Sequence, residues 1–247
     1  MKLISIITAT FNNASTIEDT LVSLYSQTYP NIEHIIIDNC SNDQTLDIIQ
    51  KYPIKKRIII SEKDNGLYDA INKGIQKSSG EIIGILHADD FYLNNKVIEK
   101  IVDLFSQEYQ GVYANMYYVD RQNTKKILRK WKAGNYKLNS FLYGWMPPHP
   151  TCFVTRNVYE KNGLYRTDLG TAADYEWILR NMYKYKVPFE YLNEYILAMR
   201  IGGLSNQSFK SRILANINDR KAWEVNQLQP YFFTLYLKPL RKVFQFL

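Results

Sequence analysis

Two adjacent carboxylates, Asp89 and Asp90, close an apolar run, Glu81-Ile-Ile-Gly-Ile-Leu-His87-Ala, long enough for one buried strand. Carboxylates at the end of an interior strand are costly unless something positive meets them. The carboxyl edge of an open α/β sheet is also where such folds bind ligands. The chemistry that suits the pair is a divalent cation holding a diphosphate. The plainer alternative is that one of them caps the helix starting near Asn94. Neighbouring strand residues face opposite ways, so the two divide the work, one on the ion and the other on ribose or the loop. No Gly-x-Gly-x-x-Gly follows the first strand and no Gly-x-x-x-x-Gly-Lys-Ser/Thr occurs. A diphosphate must then be held by side chains and a metal rather than by a glycine cradle.

Other polar groups gather at strand ends. Asp38 ends a second strand and leads into Asn39-Cys-Ser-Asn-Asp-Gln-Thr45. It either accepts hydrogen bonds from a base or ribose, or simply forms the turn. Thr8-Ala-Thr10-Phe-Asn12, ending the first strand, lies beside it. His149 sits in a proline-stiffened loop, Met146-Pro-Pro-His-Pro150, with a structural role and a site role both open. Asp174 stands at the head of a helix carrying Trp177 and Ile178, as a proton acceptor or as a cap. Glu176 is expected in solvent and Arg180 in a salt bridge.

The elements that must position these groups alternate. Strand patterns at Leu3–Ala9, Ile32–Asp38, Arg57–Ser61 and Glu81–His87 are spaced by helical patterns at Ser15–Gln27, Gln44–Lys51 and Leu67–Gln76. Alternation of this length implies an α/β fold with a mainly parallel, Rossmann-like sheet flanked by helices. A helix near Asn94–Phe105, β-rich sequence at Val112–Val119 and Lys126–Trp131, and helices at Asn157–Asn162 and Ala173–Tyr185 follow. No linker separates the halves, so they are expected to share one sheet: residues 1–110 as its first half, 111–205 as its second, and 206–247 as a helical tail.

The 247 residues, 46% hydrophobic and 22% charged, suit one large core. Cys40 and Cys152 lack metal spacing and fit a reduced, cytoplasmic protein. No window reaches the roughly 18 apolar residues of a membrane span. Of the net charge of +7, the tail carries +5: Lys210, Arg212, Arg220, Lys221, Lys238, Arg241 and Lys242 against Asp219 and Glu224. No helix-turn-helix, zinc-finger or RNA-recognition pattern accompanies it, which sets nucleic acid aside. On a helical wheel Lys238, Arg241 and Lys242 oppose Phe233, Tyr236, Leu240, Val243, Phe244 and Leu247, which suits peripheral contact with a membrane surface. Pro239 interrupts that helix, and a final helix packed on the domain is the alternative.

Four segments taken together, Ser5-Ile-Ile-Thr-Ala-Thr-Phe-Asn12, the Asp38 turn, Asp64-Asn-Gly-Leu-Tyr-Asp-Ala-Ile-Asn-Lys-Gly-Ile75 and Gly80-Glu-Ile-Ile-Gly-Ile-Leu-His-Ala-Asp-Asp90, resemble the bacterial family 2 glycosyltransferases in order and spacing. The resemblance covers roughly residues 2–205. It implies a GT-A fold, a nucleotide-sugar donor, expected to be a UDP-sugar, a divalent ion (Mn²⁺ or Mg²⁺) and inversion at the anomeric carbon. It places Thr8, Thr10, Asn12, Asp38 and Asp64 along the nucleoside, Asp89 near ribose, donor sugar and metal, and Asp90 on the metal. Gly170-Thr-Ala-Ala-Asp174-Tyr-Glu-Trp matches the family's acidic segment and makes Asp174 the catalytic base. His149 and Gly202-Gly203-Leu-Ser205 fall where relatives face the acceptor or carry a flap. His87 departs from the family, which commonly has Asp-x-Asp-Asp here. The implied acceptor is a saccharide, lipid-linked, in surface polysaccharide assembly. A nucleotidyltransferase and a non-catalytic nucleotide-sugar-binding relative are the competing functions; the former normally carries a glycine-rich basic loop that Phe11-Asn-Asn-Ala14 lacks.

Overall fold

The computed structural model describes residues 1–247 apart from 53, 55, 106, 107, 203–208, 244, 246 and 247, and without the side chains of 209–216, 242 and 243. β1 (Ile4–Thr10), β2 (Ile32–Asp38), β3 (Arg57–Ser61) and β4 (Ile82–Ile85) run parallel in the order β3-β2-β1-β4. Every residue of β1, β2 and β4 is buried, the pattern of parallel strands covered on both faces. One face packs Ile7, Ile37, Ile83 and Ile85 against α3 (Leu67–Lys77) through Ala70, Ile71 and Ile75. The other packs Ile4, Ile6, Ile82 and Leu86 against Leu24 of α1 (Ile17–Tyr25) and Val97, Ile98 and Ile101 of α4 (Val97–Asp103). The short α2 (Thr45–Gln50) adds Ile49 beside Ile17, Leu21 and Ile36. These elements follow the alternation of the sequence to within a few residues.

The second half continues the same nine-stranded sheet but is mixed in direction. β5 (Asp90–Tyr92), β6 (Gly111–Val119), β7 (Ile127–Trp131), β8 (Phe153–Thr155) and β9 (Phe189–Arg200) complete the order β4-β8-β6-β9-β5, with β7 on β6. β8 is antiparallel to both β4 and β6, so β6 again runs parallel to β1, and β9 pairs parallel with β6. The carboxyl ends of β1, β2, β4, β6 and β9 therefore share one edge. The sheet is mainly parallel, as expected, with β5, β7 and β8 running antiparallel to their neighbours. α5 (Arg156–Asn162) follows β8, and α6 (Ala173–Ile178) continues as a π-helix over Leu179–Lys184 where one helix is expected from periodicity.

The tail forms α7 (Phe209–Val225) and α8 (Thr234–Val243), and it packs on the domain. Trp223 and Leu235 are at most 2% exposed and belong to the main core. Trp223 Nε1 donates to Tyr175 OH (2.9 Å), and Thr234 Oγ1 donates to Leu142 O (2.6 Å). α8 runs on through Pro239. Lys238 is drawn out of the basic membrane face expected for it: its Nζ pairs with Asp219 Oδ2 at 2.7 Å and lies 3.5 Å from the Tyr175 ring centroid. The side chains of Lys242 and Val243, with Phe244 and Leu247, lie outside the described residues. Among the described residues no helix is long and apolar enough to cross a membrane.

Candidate active site

The chain turns sharply after β4, and Asp90 N donates to His87 O at 3.0 Å. Asp90 then opens β5, where it pairs with Met199 of β9. Neither carboxylate caps α4: that helix starts at Val97, and Asn94 Oδ1 takes the Lys96 N–H instead. The two acids part company as strand alternation requires. The Asp89 side chain is 24% exposed, with Oδ2 3.8 Å from Arg121 Nη1. Asp90 is fully buried and neither carboxylate oxygen has a hydrogen-bond partner. Burial, reinforced by the Asp89 charge and only partly offset by Arg200, pushes its carboxyl well above the usual range.

Arg200, at the end of β9, holds this turn. Its Nη1 donates to Asp89 O at 2.7 Å, its Nη2 pairs with Asp19 of α1, and its guanidinium lies 5.1 Å from the Phe91 ring. α1 adds Thr16 Oγ1 to Ala88 O (3.1 Å) and Thr20 Oγ1 to Asp90 O (2.7 Å). Beside Asp89 opens a cavity of about 530 Å³ lined by Ser15, Thr16, Asp19, Arg121, Thr124 and Arg200, among others. Sequence inspection missed Arg200, although an arginine ending the apolar run Tyr195-Ile-Leu-Ala-Met-Arg200 is the same buried-charge signal that singles out Asp89 and Asp90.

The nucleoside-side residues divide into supports and lining. Thr8 is enclosed within the sheet: its hydroxyl donates to Leu86 O (2.8 Å) and meets His34 Nε2 (3.0 Å). Thr10 is 5% exposed and bonds Asn13 Oδ1. Asn12, at φ 53°, accepts from Asn42 N on Oδ1 and donates its own N–H to Ser41 Oγ. Asp38 is fully buried and accepts from Ser41 N, Ser41 Oγ and Ser61 Oγ, the turn-forming role. Asp64 is half-buried; its Oδ1 takes the Gly66 N–H (2.8 Å), in a loop that needs Gly66 at φ 109° before α3 begins. Interlocking loops from β1, β2 and β3 thus build one rim of the edge.

Asp174 approaches from the other half of the chain. It is half-buried in the first turn of α6, where Oδ1 takes the Tyr175 N–H (2.7 Å), and it is not the helix cap, which is Ala172. The charges of both Asp89 and Asp174 act on His87, whose pKa burial lowers and these two carboxylates raise in part. Far-separated acids are thereby brought to one histidine. Asp174 also bears on Tyr68 of α3, whose hydroxyl is pushed well above its usual range first by burial and then by that charge. His149 lies 6.4 Å, ring to ring, from His87; it is 4% exposed and its Nε2 bonds Tyr165 OH at 2.8 Å. Burial, then His87, pushes His149 down to about 3. Gly202, at φ 99°, adjoins Arg121, while Gly203 and Ser205 lie outside the described residues. Glu176 is not in solvent as expected: it is 1% exposed, paired to Arg180 Nε at 2.9 Å and bonded by Asn226 Nδ2, because α7 covers that face. Arg180 makes the expected salt bridge.

Among the described residues no group of three or more His, Cys, Asp and Glu is gathered as a self-sufficient metal cage. A part-exposed carboxylate backed by a buried, unpartnered one instead fits a hard cation whose remaining ligands come from a substrate phosphate and water.

Residues 5–163 match the family model of glycosyl transferase family 2. The chain belongs to that family. This glycosyltransferase is 31% identical over 179 residues to a glycosyltransferase of Mycobacterium tuberculosis, covering 72% of this chain and 68% of the relative. Over 124 residues it is 39% identical to the Escherichia coli UDP-Glc:alpha-D-GlcNAc-diphosphoundecaprenol beta-1,3-glucosyltransferase WfaP, covering 49% of this chain and 48% of that one. Its fold matches the Pyrobaculum calidifontis mannosyltransferase PcManGT in complex with GDP-Man and Mn²⁺ (TM-score 0.68, 19% identity, 96% of this chain and 69% of that one). It also matches residues 1–349 of Staphylococcus aureus TarS in complex with UDP-GlcNAc (TM-score 0.67, 18% identity, 91% and 70%). It spans 42% of a longer TarS chain. The fold is therefore GT-A, as the sequence resemblance implies.

Proposed function

We propose that this glycosyltransferase moves a hexose from a UDP-sugar to a hydroxyl of a lipid-linked saccharide, with inversion, in bacterial surface polysaccharide assembly at the inner face of the cytoplasmic membrane. The observation that carries the proposal is the Asp89–Asp90 turn at the carboxyl edge of the sheet, where a part-exposed carboxylate adjoins a buried one with no hydrogen-bond partner; the place of Asp174, half-buried in the first turn of α6, supports its role as base. Support for the substrates comes from the WfaP name, which specifies UDP-Glc and a diphosphoundecaprenol-linked sugar, and from the UDP-GlcNAc complex of TarS.

Asp174 accepts the proton of the acceptor hydroxyl as its oxygen attacks the anomeric carbon. The new C–O bond forms on the face opposite the breaking bond to the β-phosphate, whose electron pair leaves with UDP. Thr10, Asn12, Asp38 and Asp64 frame the nucleoside, and Thr8 braces that rim from inside the sheet. His149 and Gly202 lie on the acceptor side. Asp89, the open member of the pair, and Asp90 are the residues that would hold Mn²⁺ or Mg²⁺. When bound, the ion supplies positive charge against the leaving diphosphate.

Incubation with a nucleotide-sugar panel and a short lipid-linked acceptor tests this. UDP should be released without pyrophosphate, turnover should vanish in EDTA and return with Mn²⁺ or Mg²⁺. Pyrophosphate release, or full turnover in excess EDTA, contradicts it.

A further inference from the structure

The outward face of α8 is apolar. Tyr236 is 64% exposed and Leu240 56%, at the i, i+4 spacing that lines up one helix face, and Phe232, in the turn that leads into α8, is 85% exposed. Tyr231 (47%) and Tyr143 (49%) widen the stripe, their rings 6.2 Å apart. Such a run of exposed aromatic and aliphatic groups marks an interaction site rather than ordinary surface scatter. Their exposure is not slack in the helix: the opposite face is seated in the core through Thr234 and Leu235, and Lys238 is fixed to Asp219.

That ion pair also settles the charge around the stripe. With Asp219 and Lys238 neutralising each other, the exposed charges on the described side chains of α7 and α8 are Arg220, Lys221 and Arg241 against Glu224. A rigid helix and its leading turn that present phenylalanine, tyrosine and leucine to solvent, in a tail whose exposed charges are three cations to one anion, are complementary to an anionic lipid surface. Tyrosine suits such a boundary because its ring is apolar and its hydroxyl stays wet. The docking helix is tied to the chemistry as well: Lys238 rests on the Tyr175 ring, one residue from Asp174.

We infer that Tyr236 and Leu240 of α8, with Phe232 in the turn before it, dock this enzyme onto an anionic bilayer, with the apolar stripe entering the headgroup boundary and Arg220, Lys221 and Arg241 contacting the lipid charges. The membrane grip is thus the stripe, and Lys238 is an internal strut. The purpose of docking rests on the proposed lipid-linked acceptor, but the binding itself does not.

Vesicle flotation of the full chain, read without any turnover, separates the two. At low salt the wild-type protein should float with vesicles of equal phosphatidylglycerol and phosphatidylcholine, and at least tenfold less with phosphatidylcholine alone. The triple change Phe232→Ser, Tyr236→Ser and Leu240→Ser should lower flotation at least tenfold. Its melting temperature should be unchanged, because these side chains touch little. Arg220→Gln, Lys221→Gln and Arg241→Gln together should remove the preference for phosphatidylglycerol. A wild-type protein left with the soluble fraction overturns the inference, as does a triple-serine variant that floats normally. A dimer in sedimentation velocity that the serine changes abolish, without vesicle binding, would assign the stripe to a second copy instead. UDP release on a water-soluble acceptor should be the same in all variants; its absence in the wild type would fault the proposed reaction and leave the flotation result standing.

Discussion

Arg200 is the one described cation that touches the Asp89–Asp90 turn by a hydrogen bond, to Asp89 O, and at the same time it pairs with Asp19 of α1. A guanidinium spans both with donors fixed in a rigid planar fork, whereas an ammonium would have to bring both acceptors to a single nitrogen. Arg200→Lys should therefore behave almost as poorly as Arg200→Gln. Each should lower kcat/KM by roughly 10- to 100-fold, in the range expected when a catalytic group shifts by about 1 Å. Unchanged kinetics with intact folding would remove Arg200 from the site's support. The buried histidines make a second prediction at this scale. His34 and His149 are both pushed down to about 3, by burial first and then by Arg57 and His87 respectively. Each stays neutral in the folded chain but takes a proton in the unfolded chain below about 6.5. Their contribution is thus complete above pH 6.5 and lost as pH falls toward 3, by roughly 1.4 kcal/mol per pH unit for each. His149→Gln should flatten the decline of Tm between pH 6.5 and about 5; a slope as steep as wild type would contradict the assignment.

At the scale of elements, α3 carries the Asp64–Gly66 rim because it lies unusually close to β1. A Cβ on Gly74 would come 2.4 Å from Ile7 Cγ2. Gly74→Ala should destabilise the protein by about 1–3 kcal/mol through overpacking, read as a lower urea midpoint; a neutral change would mean that the helix is seated differently. The sequence made the first four strands and three helices legible because each is long, periodic and bounded by turn residues. It did not show β5: three residues, Asp90-Phe-Tyr92, carry no period, and only pairing with β9 makes them a strand. Nor did it show the switch from α6 into the π-helix, since Trp177, Ile178, Leu179 and Met182 are apolar under either geometry. Asp89 and Asp90 stand out in the sequence as carboxylates that end an apolar run, and Asp174 stands out only through the family resemblance, with a capping role open for each. Glu176 was misread because one of its partners, Asn226, is delivered only by the turn after α7. Thr8 and Asp38 look alike at strand ends, yet both are taken up by internal hydrogen bonds that no spacing encodes.

The whole molecule is knit across the boundary between its catalytic part and its tail. Trp223 sits in the main core and bonds Tyr175, so α7 is structural support for α6 and hence for Asp174. Trp223→Ala should cost about 3–5 kcal/mol, lowering Tm by on the order of 10 °C. A loss of only a degree or two would mark the tail as an appendage. Above that frame stands the central claim, that Asp174 deprotonates an acceptor in an inverting transfer from a nucleotide sugar bound at Asp89. The most direct measurement is NMR of the product formed from a UDP-α-hexose by the wild-type protein and by Asp174→Asn. The wild type should release UDP and give a β-linked product. Asp174→Asn, which keeps the shape but removes the proton acceptor, should still bind UDP while transfer falls by about 10²–10⁴-fold. An α-linked product, or near-normal transfer by a folded Asp174→Asn, would contradict the account.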